Sequence, residues 1–389
     1  MLLTIKYNWR NLWVRKLSSG LTFVVVATLI LILSYLLAFA GGVQAAIEVT
    51  GWPQNLIVLK PGATAESTSI IVPTETSGLV QTPGVARNAA GELLISQEMS
   101  VQTDIPRRSG GGKANVAVRG VDPIALDVHP EVRITEGRMF DSGAMEALVG
   151  KAARERYVGL NVGDDVAMGR SKDRLYKIVG VFEARGGAYE SEIWAPRTRI
   201  ADSYQRPLIS SASLRLERPD LAAAAIDYVN GPAIKLSARS EPAYYKELAT
   251  STAQLAKLAL SLVFIMGVGA VFAVANTMFA SVDRRRREIA MLRTIGFSRA
   301  TIITSFLAES VLLCMLAAGV GVLASLWYSG SRDDYLSATT YTVFAFEVRV
   351  TPMVVVMCFA LAALVGLVGA FFPALRAARV QIIEALRKA

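Results

Sequence analysis

The sequence predicts an α-helical membrane protein with four spans and a large α+β domain inserted between spans 1 and 2. Three observations predict it. The 389 residues are 53% hydrophobic and their mean hydropathy is positive. Four apolar runs, 17–47, 258–282, 300–330 and 350–375, each exceed the roughly 20 residues needed to cross ~30 Å of hydrocarbon. Only the third carries a charge, Glu309. Between the first two runs the composition changes to alternating strand-like and helix-like stretches.

The first run follows a basic segment with Lys6, Arg10, Arg15 and Lys16. Its core, "LTFVVVATLILILSYLLAFA", is longer than the h-region of a signal peptide, so it reads as a retained helix. Orientation follows from Lys and Arg near the span ends. Residues 1–16, the loop 283–299 and the tail 376–389 are basic. The loop 331–349 holds Arg332 and Arg349 beside Asp333, Asp334 and Glu347. Both termini are therefore expected in the cytoplasm and residues 48–257 outside it. The formal charge of +9 is placed as a topology signal and a lipid-headgroup contact, and nucleic acid is not an expected partner.

In 48–257, "NLIVLK", "NVAVRGV", "EALVG", "LYKIVGVFEA", "SEIWA", "SASLRLE" and "AIKLSA" read as strands. "KAARERYVGL", "PRTRIADSYQ" and "PDLAAAAIDYVN" read as helices. "RRSGGGKANV" reads as a hairpin tip. It fails the phosphate-loop spacing, because Arg107 stands where glycine is needed and Ala114 where serine or threonine is needed. His129 is the only histidine, so a multi-histidine metal site is excluded on count, and a solvated turn or extended loop before Pro130, rather than a catalytic base, is its expected setting. No catalytic constellation, metal site or cofactor of the chain's own is expected. Residues 241–257 continue without a breaker into span 2 and are expected to form a helical stalk.

The loop 283–299 contains Arg284, Arg285, Arg286 and Arg287 in succession. Ile289, Leu292 and Ile295 recur three apart, which predicts a short amphipathic helix with Arg286 and Arg293 off the apolar stripe. Gly296 is its expected C-terminal cap and Ser298 the N-cap of the next span. Glu309 is an intramembrane carboxylate, with pairing to Arg284–Arg287 as its expected role. Gly269 with Ala273, and Gly366 with Ala370, form small-xxx-small pairs suited to close helix packing.

Several of these stretches carry a resemblance. "RRREIAMLRTIGFSRATI", "SFLAESVLLCMLAAGVGVLASL" and "TPMVVVMCFALAALVGLVGAFFPALRAARVQIIEALRKA" resemble the FtsX/MacB-type ABC transporter permeases. "VRGVDPIALDVHPEVRITEGRMF" and the segment from "EALVGKAARERYVGL" to "SEIWAP" look like that family's MacB-like periplasmic core. The resemblance implies a bacterial inner-membrane permease, working as a homodimer or pseudo-symmetric heterodimer on a separate ABC ATPase dimer that binds ATP and Mg. It implies mechanotransmission, with Arg284 to Gly296, Glu288 included, as the ATPase-coupling helix and 1–16 as an entry helix. Export or extraction of a hydrophobic or peptide-like substrate follows, with a periplasmic adaptor and outer-membrane channel as further partners. Regulation of a cell-wall enzyme, or reception by the outside domain, are the alternatives.

Overall fold

The computed structural model describes residues 16–110, 112–170, 172–336 and 343–380. In chain order the elements are α1 (Lys16–Thr50), β1 (Asn55–Leu59), β2 (Ile95–Pro106), β3 (Lys113–Val121), the single turn α2 (Ala125–Val128), β4 (Arg133–Gly137), β5 (Glu146–Gly150), α3 (Lys151–Arg156), β6 (Asp165–Met168), β7 (Arg174–Glu183) and β8 (Ile193–Pro196). There follow α4 (Arg197–Tyr204), β9 (Ser211–Arg215), α5 (Ala222–Asn230), β10 (Ser237–Ser240), α6 (Glu241–Arg284), α7 (Arg286–Thr294), α8 (Arg299–Leu326), β11 (Arg332–Leu336), β12 (Val343–Glu347) and α9 (Pro352–Ala378). The chain divides into two compact units. One comprises Met1–Gly41, Gln254–Ser331 and Val348–Ala389; the other comprises Gly42–Ala253 and Arg332–Glu347.

The first unit is helical. Four segments are long and apolar enough to cross a membrane: Gly20–Ala45, Leu260–Arg284, Arg299–Leu326 and Pro352–Ala378. Hydrocarbon offers no hydrophobic gain for bringing helices together, so packing and a few hydrogen bonds must hold them. The Ser34 and Ser325 hydroxyls meet at 2.8 Å, joining α1 to α8. Thr22 meets Thr277 at 2.5 Å, joining α1 to α6. Ser310 donates to the Gly366 carbonyl at 2.9 Å, joining α8 to α9.

Glycine permits these approaches. A Cβ at Gly366 would lie 3.0 Å from the Val311 Cα, and one at Gly369 would lie 2.8 Å from the Val274 Cβ. Ala370 beside them is fully buried. Gly269 behaves otherwise: a Cβ there meets nothing within 4 Å. Gly269 faces away from this chain's own bundle, and Gly369 on α9 supplies the close approach to α6. Gly366→Val should thus cost about 1–3 kcal/mol of overpacking, while Gly269→Val should leave thermal stability in detergent unchanged within error.

The second unit is built on a ten-stranded mixed sheet in the order β10-β1-β9-β2-β3-β8-β5-β7-β4, with β6 pairing to β7. β3 runs parallel to β8 and β5 parallel to β7; the other ladders are antiparallel. β1 and β5 are buried almost throughout, as their uninterrupted apolar sequences require. One apolar cluster gathers Met99, Val116, Val118, Tyr157, Tyr176 and Ile193; a second gathers Leu56, Val58, Ile71, Leu214 and Val229. β2 and β3 pair antiparallel from Met99↔Gly120 to Pro106↔Lys113, on either side of the glycine-rich stretch, in which Gly111 lies outside the described residues. β2, β4 and β6 were not among the expected strands.

One expectation about connections changes. The 331–349 loop contains an antiparallel hairpin, β11 with β12, that groups with the sheet unit and lies against β3. Residues 241–257 are the start of α6, one unbroken helix of 44 residues. The expected entry helix falls on residues of which 1–15 lie outside those described, as does the tail from 381 onward.

Candidate functional site

Two constellations stand out, one in each unit. The first surrounds α7. The long helix α6 ends at Arg284, Arg285 leaves helical geometry at φ −102° and ψ 12°, and α7 starts at Arg286. α7 stops at a Schellman motif: the Gly296 N–H reaches the Arg293 carbonyl, the Phe297 N–H reaches that of Leu292, and Gly296 takes φ +105°. The Ser298 hydroxyl then accepts from the Thr301 N–H, capping α8.

Three contacts fasten one face of α7. Ile289 packs with Val282, Ile302, Phe306, Ala374 and Ala377. Arg285, at the break, reaches the buried carboxylate of Glu309 on α8 at 3.0 and 3.4 Å. Arg293 donates to the Ala378 carbonyl at 2.7 Å, placing a cation at the negative end of α9. The four arginines are therefore not equivalent. Arg285 is buried, whereas Arg284, Arg286 and Arg287 are exposed. Arg286 pairs with Asp283 at 2.8 Å. Glu288 is exposed beside them.

The expected apolar stripe is split. Ile289 is 3% exposed, but Leu292 is 41% and Ile295 is 77% exposed. The reason is geometric: Ala290 and Arg293 complete the inward arc beside Ile289, so Leu292 and Ile295 turn outward. Arg293, expected off the stripe, lies on the fastened side. Outward, Met291, Leu292, Ile295 and Phe297 form an apolar surface bordered by arginine.

The second constellation is a buried ionic cluster in the sheet unit. Arg119, on β3, sends Nε and Nη2 to Glu192 at 2.7 and 2.9 Å. Nη1 and Nη2 reach Glu66 at 2.7 and 3.0 Å, and Nη1 also reaches Glu98 on β2 at 2.6 Å. The guanidinium lies 5.0 Å from the Tyr189 ring centroid. Trp194 Nε1 donates to Glu192, and the Ser211 hydroxyl donates to Glu66.

The cluster continues to His129, which corrects the expectation of a solvated turn residue. His129 is fully buried, edge-on to Tyr189 and Trp194, with Nε2 at 2.9 Å from Glu98. The turn α2 carries it inward: Ala125 and Val128 are buried, and His129 closes that turn by donating its N–H to the Ala125 carbonyl. Glu241, the first residue of α6, accepts from the Tyr189 hydroxyl at 2.8 Å and from the Trp52 N–H at 3.0 Å. Burial pushes the Glu98 carboxyl up, but His129 and Arg119 outweigh it and hold the group down at about 2. Burial pushes Glu241 up to about 7 against the pull of His129. Sequence reasoning missed this cluster; its signal was the lone arginine inside the apolar strand "NVAVRGV".

Four apolar helices, an α+β domain inserted after the first and a basic helix bridging the second and third define a multi-pass membrane protein of permease architecture. The FtsX-like permease C-terminal family matches residues 260–382, which contain α7, α8, α9 and most of α6. The chain is 25% identical to the macrolide export ATP-binding/permease protein MacB 1/2 of Paracoccus denitrificans, over 89% of this chain and 52% of that one. It is 24% identical to MacB of Agrobacterium fabrum, over 97% and 59%, and 24% identical to the pyoverdine export ATP-binding/permease protein PvdT of Pseudomonas entomophila, over 99% and 60%. It thus spans about half the length of the curated relatives it matches. A solved extracellular domain of the ABC-type transporter YknZ aligns with 45% of this chain and 91% of its own, at 18% identity and a TM-score of 0.32. The chain is thus similar along most of its length to MacB-named proteins, and its residues 260–382 match the FtsX-like permease C-terminal family.

Proposed function

We propose that this chain is the permease subunit of an ABC exporter, driven by an ATPase that docks on the outward face of α7. The carrying observation is the division of α7 into a fastened face and a free one. Ile289, Arg285 and Arg293 tie it to the spans, so a push on α7 is passed to α6, α8 and α9 rather than absorbed. Leu292 and Ile295, bordered by Arg284, Arg286 and Arg287, offer apolar anchors in a basic rim, the composition of a docking surface. The relatives' names join ATP-binding to permease and to export, which supports a nucleotide-driven exporter.

In this reading α7 and both termini face the cytoplasm, and the sheet unit lies outside. The continuous helix α6 carries movement from α7 toward Glu241. The substrate is hydrophobic or peptide-like. The permease works as a pair on an ATPase pair, and an adaptor and outer-membrane channel extend the path.

The test reverses the exposed charges alone. Arg284→Glu, Arg286→Glu and Arg287→Glu together should lower recovery of an ABC ATPase from native membranes at least tenfold, with membrane insertion unchanged. Arg285 is left intact because its loss would break the pair with Glu309. Undiminished ATPase recovery contradicts the docking role.

A further inference from the structure

The ionic cluster carries more negative charge than its own cations balance. Five buried carboxylates, Glu66, Glu98, Glu131, Glu192 and Glu241, share one arginine and one imidazole. Unpaired buried carboxylates are costly. Arg119 serves Glu66, Glu98 and Glu192. The remaining excess lies at the far side of His129.

There the polar atoms have no hydrogen-bond partner. His129 Nδ1 and both Glu131 carboxylate oxygens are buried and unsatisfied, and the Glu131 residue is 4% exposed. Nδ1 lies 3.5 Å from Glu131 Oε1 and 3.8 Å from Glu241 Oε1. One ligating atom from each of the three residues lies within 4.8 Å of the other two. Glu98 is a carboxylate that only accepts, so Nε2 carries a proton toward it and Nδ1 is left facing two carboxylates. Nδ1 can face them with a proton of its own or offer its lone pair to a cation that both carboxylates share. A proton on Nδ1 would satisfy at most one of these oxygens.

We propose that His129 Nδ1, Glu131 and Glu241 bind a divalent transition-metal cation of the zinc class. The donor set of one imidazole and two carboxylates, with three protein ligands, fits Zn²⁺ with an open position. Calcium and magnesium call for all-oxygen shells, which the imidazole disfavours. The supporting contacts of a metal centre are also present. Glu98 orients the imidazole through Nε2, and Tyr189 and Trp52 orient Glu241. Glu131 also lines a cavity of about 550 Å³ with Trp52, Pro130 and Arg133, which provides an entry path. The cation would clamp the first residue of α6 to the segment that follows α2. This inference does not depend on the docking role of α7.

The test uses the full chain in detergent without a histidine tag, stripped with chelator and then titrated with Zn²⁺ by equilibrium dialysis. The expected result is one Zn²⁺ per chain at micromolar free metal, a raised melting temperature, and no comparable uptake of Ca²⁺. Glu131→Gln keeps shape and leaves every Arg119 contact in place; it should weaken binding at least tenfold. Co²⁺ should give visible d–d absorption in the wild type that Glu131→Gln lacks. Failure of the wild type to retain Zn²⁺, equal binding by the variant, or preference for Ca²⁺ overturns the proposal. The wild-type titration decides even if the variant does not fold.

Discussion

Arg119→Met should leave the sheet unit unfolded or barely folded at neutral pH. The change removes the only arginine among the described residues that reaches Glu66, Glu98 and Glu192, all of which stay buried. Breaking one buried pair by deleting a partner costs about 3–5 kcal/mol. Here three carboxylates lose their cation, and a whole domain has only about 5–15 kcal/mol to lose. Arg119→Lys should fall between, because an ammonium keeps the charge but not the two bidentate forks. Trp194 donates to Glu192, so its fluorescence during denaturant unfolding reports the loss directly.

The deficit should depend on pH. In the wild type Glu98 is held at about 2, below its ordinary 4.5. It therefore adds stability above the ordinary value, which is lost as pH falls toward 2. In Arg119→Met the unpaired carboxylates favour the protonated form when folded. The deficit should then shrink on acidification from pH 7 to pH 5. A deficit independent of pH would show that lost packing, rather than unpaired charge, is the cause.

Arg285→Met should be the most damaging single change in the membrane unit. Glu309 would keep its place inside the bundle with no cation, at a cost of about 3–5 kcal/mol. The break between α6 and α7 would lose its tie to α8 at the same stroke. Glu309→Gln should cost less, since the amide oxygen can still accept from Arg285 and the long arginine side chain can carry its charge toward the surface, which a short buried carboxylate cannot do. The double change Arg285→Met with Glu309→Leu should recover most of the stability, because a buried pair replaced by apolar groups is often neutral. Thermal unfolding of the four purified proteins in detergent gives the order. If the double variant is no more stable than Arg285→Met, the pair is not what fixes the break.

Much of this fold was legible because its determinants are local. The four spans follow from uninterrupted apolar runs, and the ends of α7 and α8 follow from Gly296 and Ser298. β1, β3, β5 and β7 announced themselves by apolar density. β2 did not: "ISQEMSVQTDIP" alternates with serine, glutamate and threonine on positions that the sheet buries, so its polarity concealed it. His129 was misplaced for a related reason. Its burial depends on Glu98 and Glu241, 31 residues before and 112 residues after it, and no local pattern encodes such a meeting. The stripe on α7 failed differently. Spacing gave the helix correctly, but which arc turns inward is decided by Ala374, Ala377 and Ala378 of α9. Gly269 and Gly366 carry the same local signal, with Ala273 and Ala370 four residues on, and only the partner helix distinguishes them.

The most direct test of the account places a photo-crosslinking residue at Ile295, with Ile289 as the buried control, and irradiates intact cells. The predicted result is an adduct between Ile295 and a cytoplasmic ABC ATPase, absent from the Ile289 variant. An Ile295 variant that captures only extracytoplasmic proteins, or no ATPase while the ATPase is present, would contradict the account.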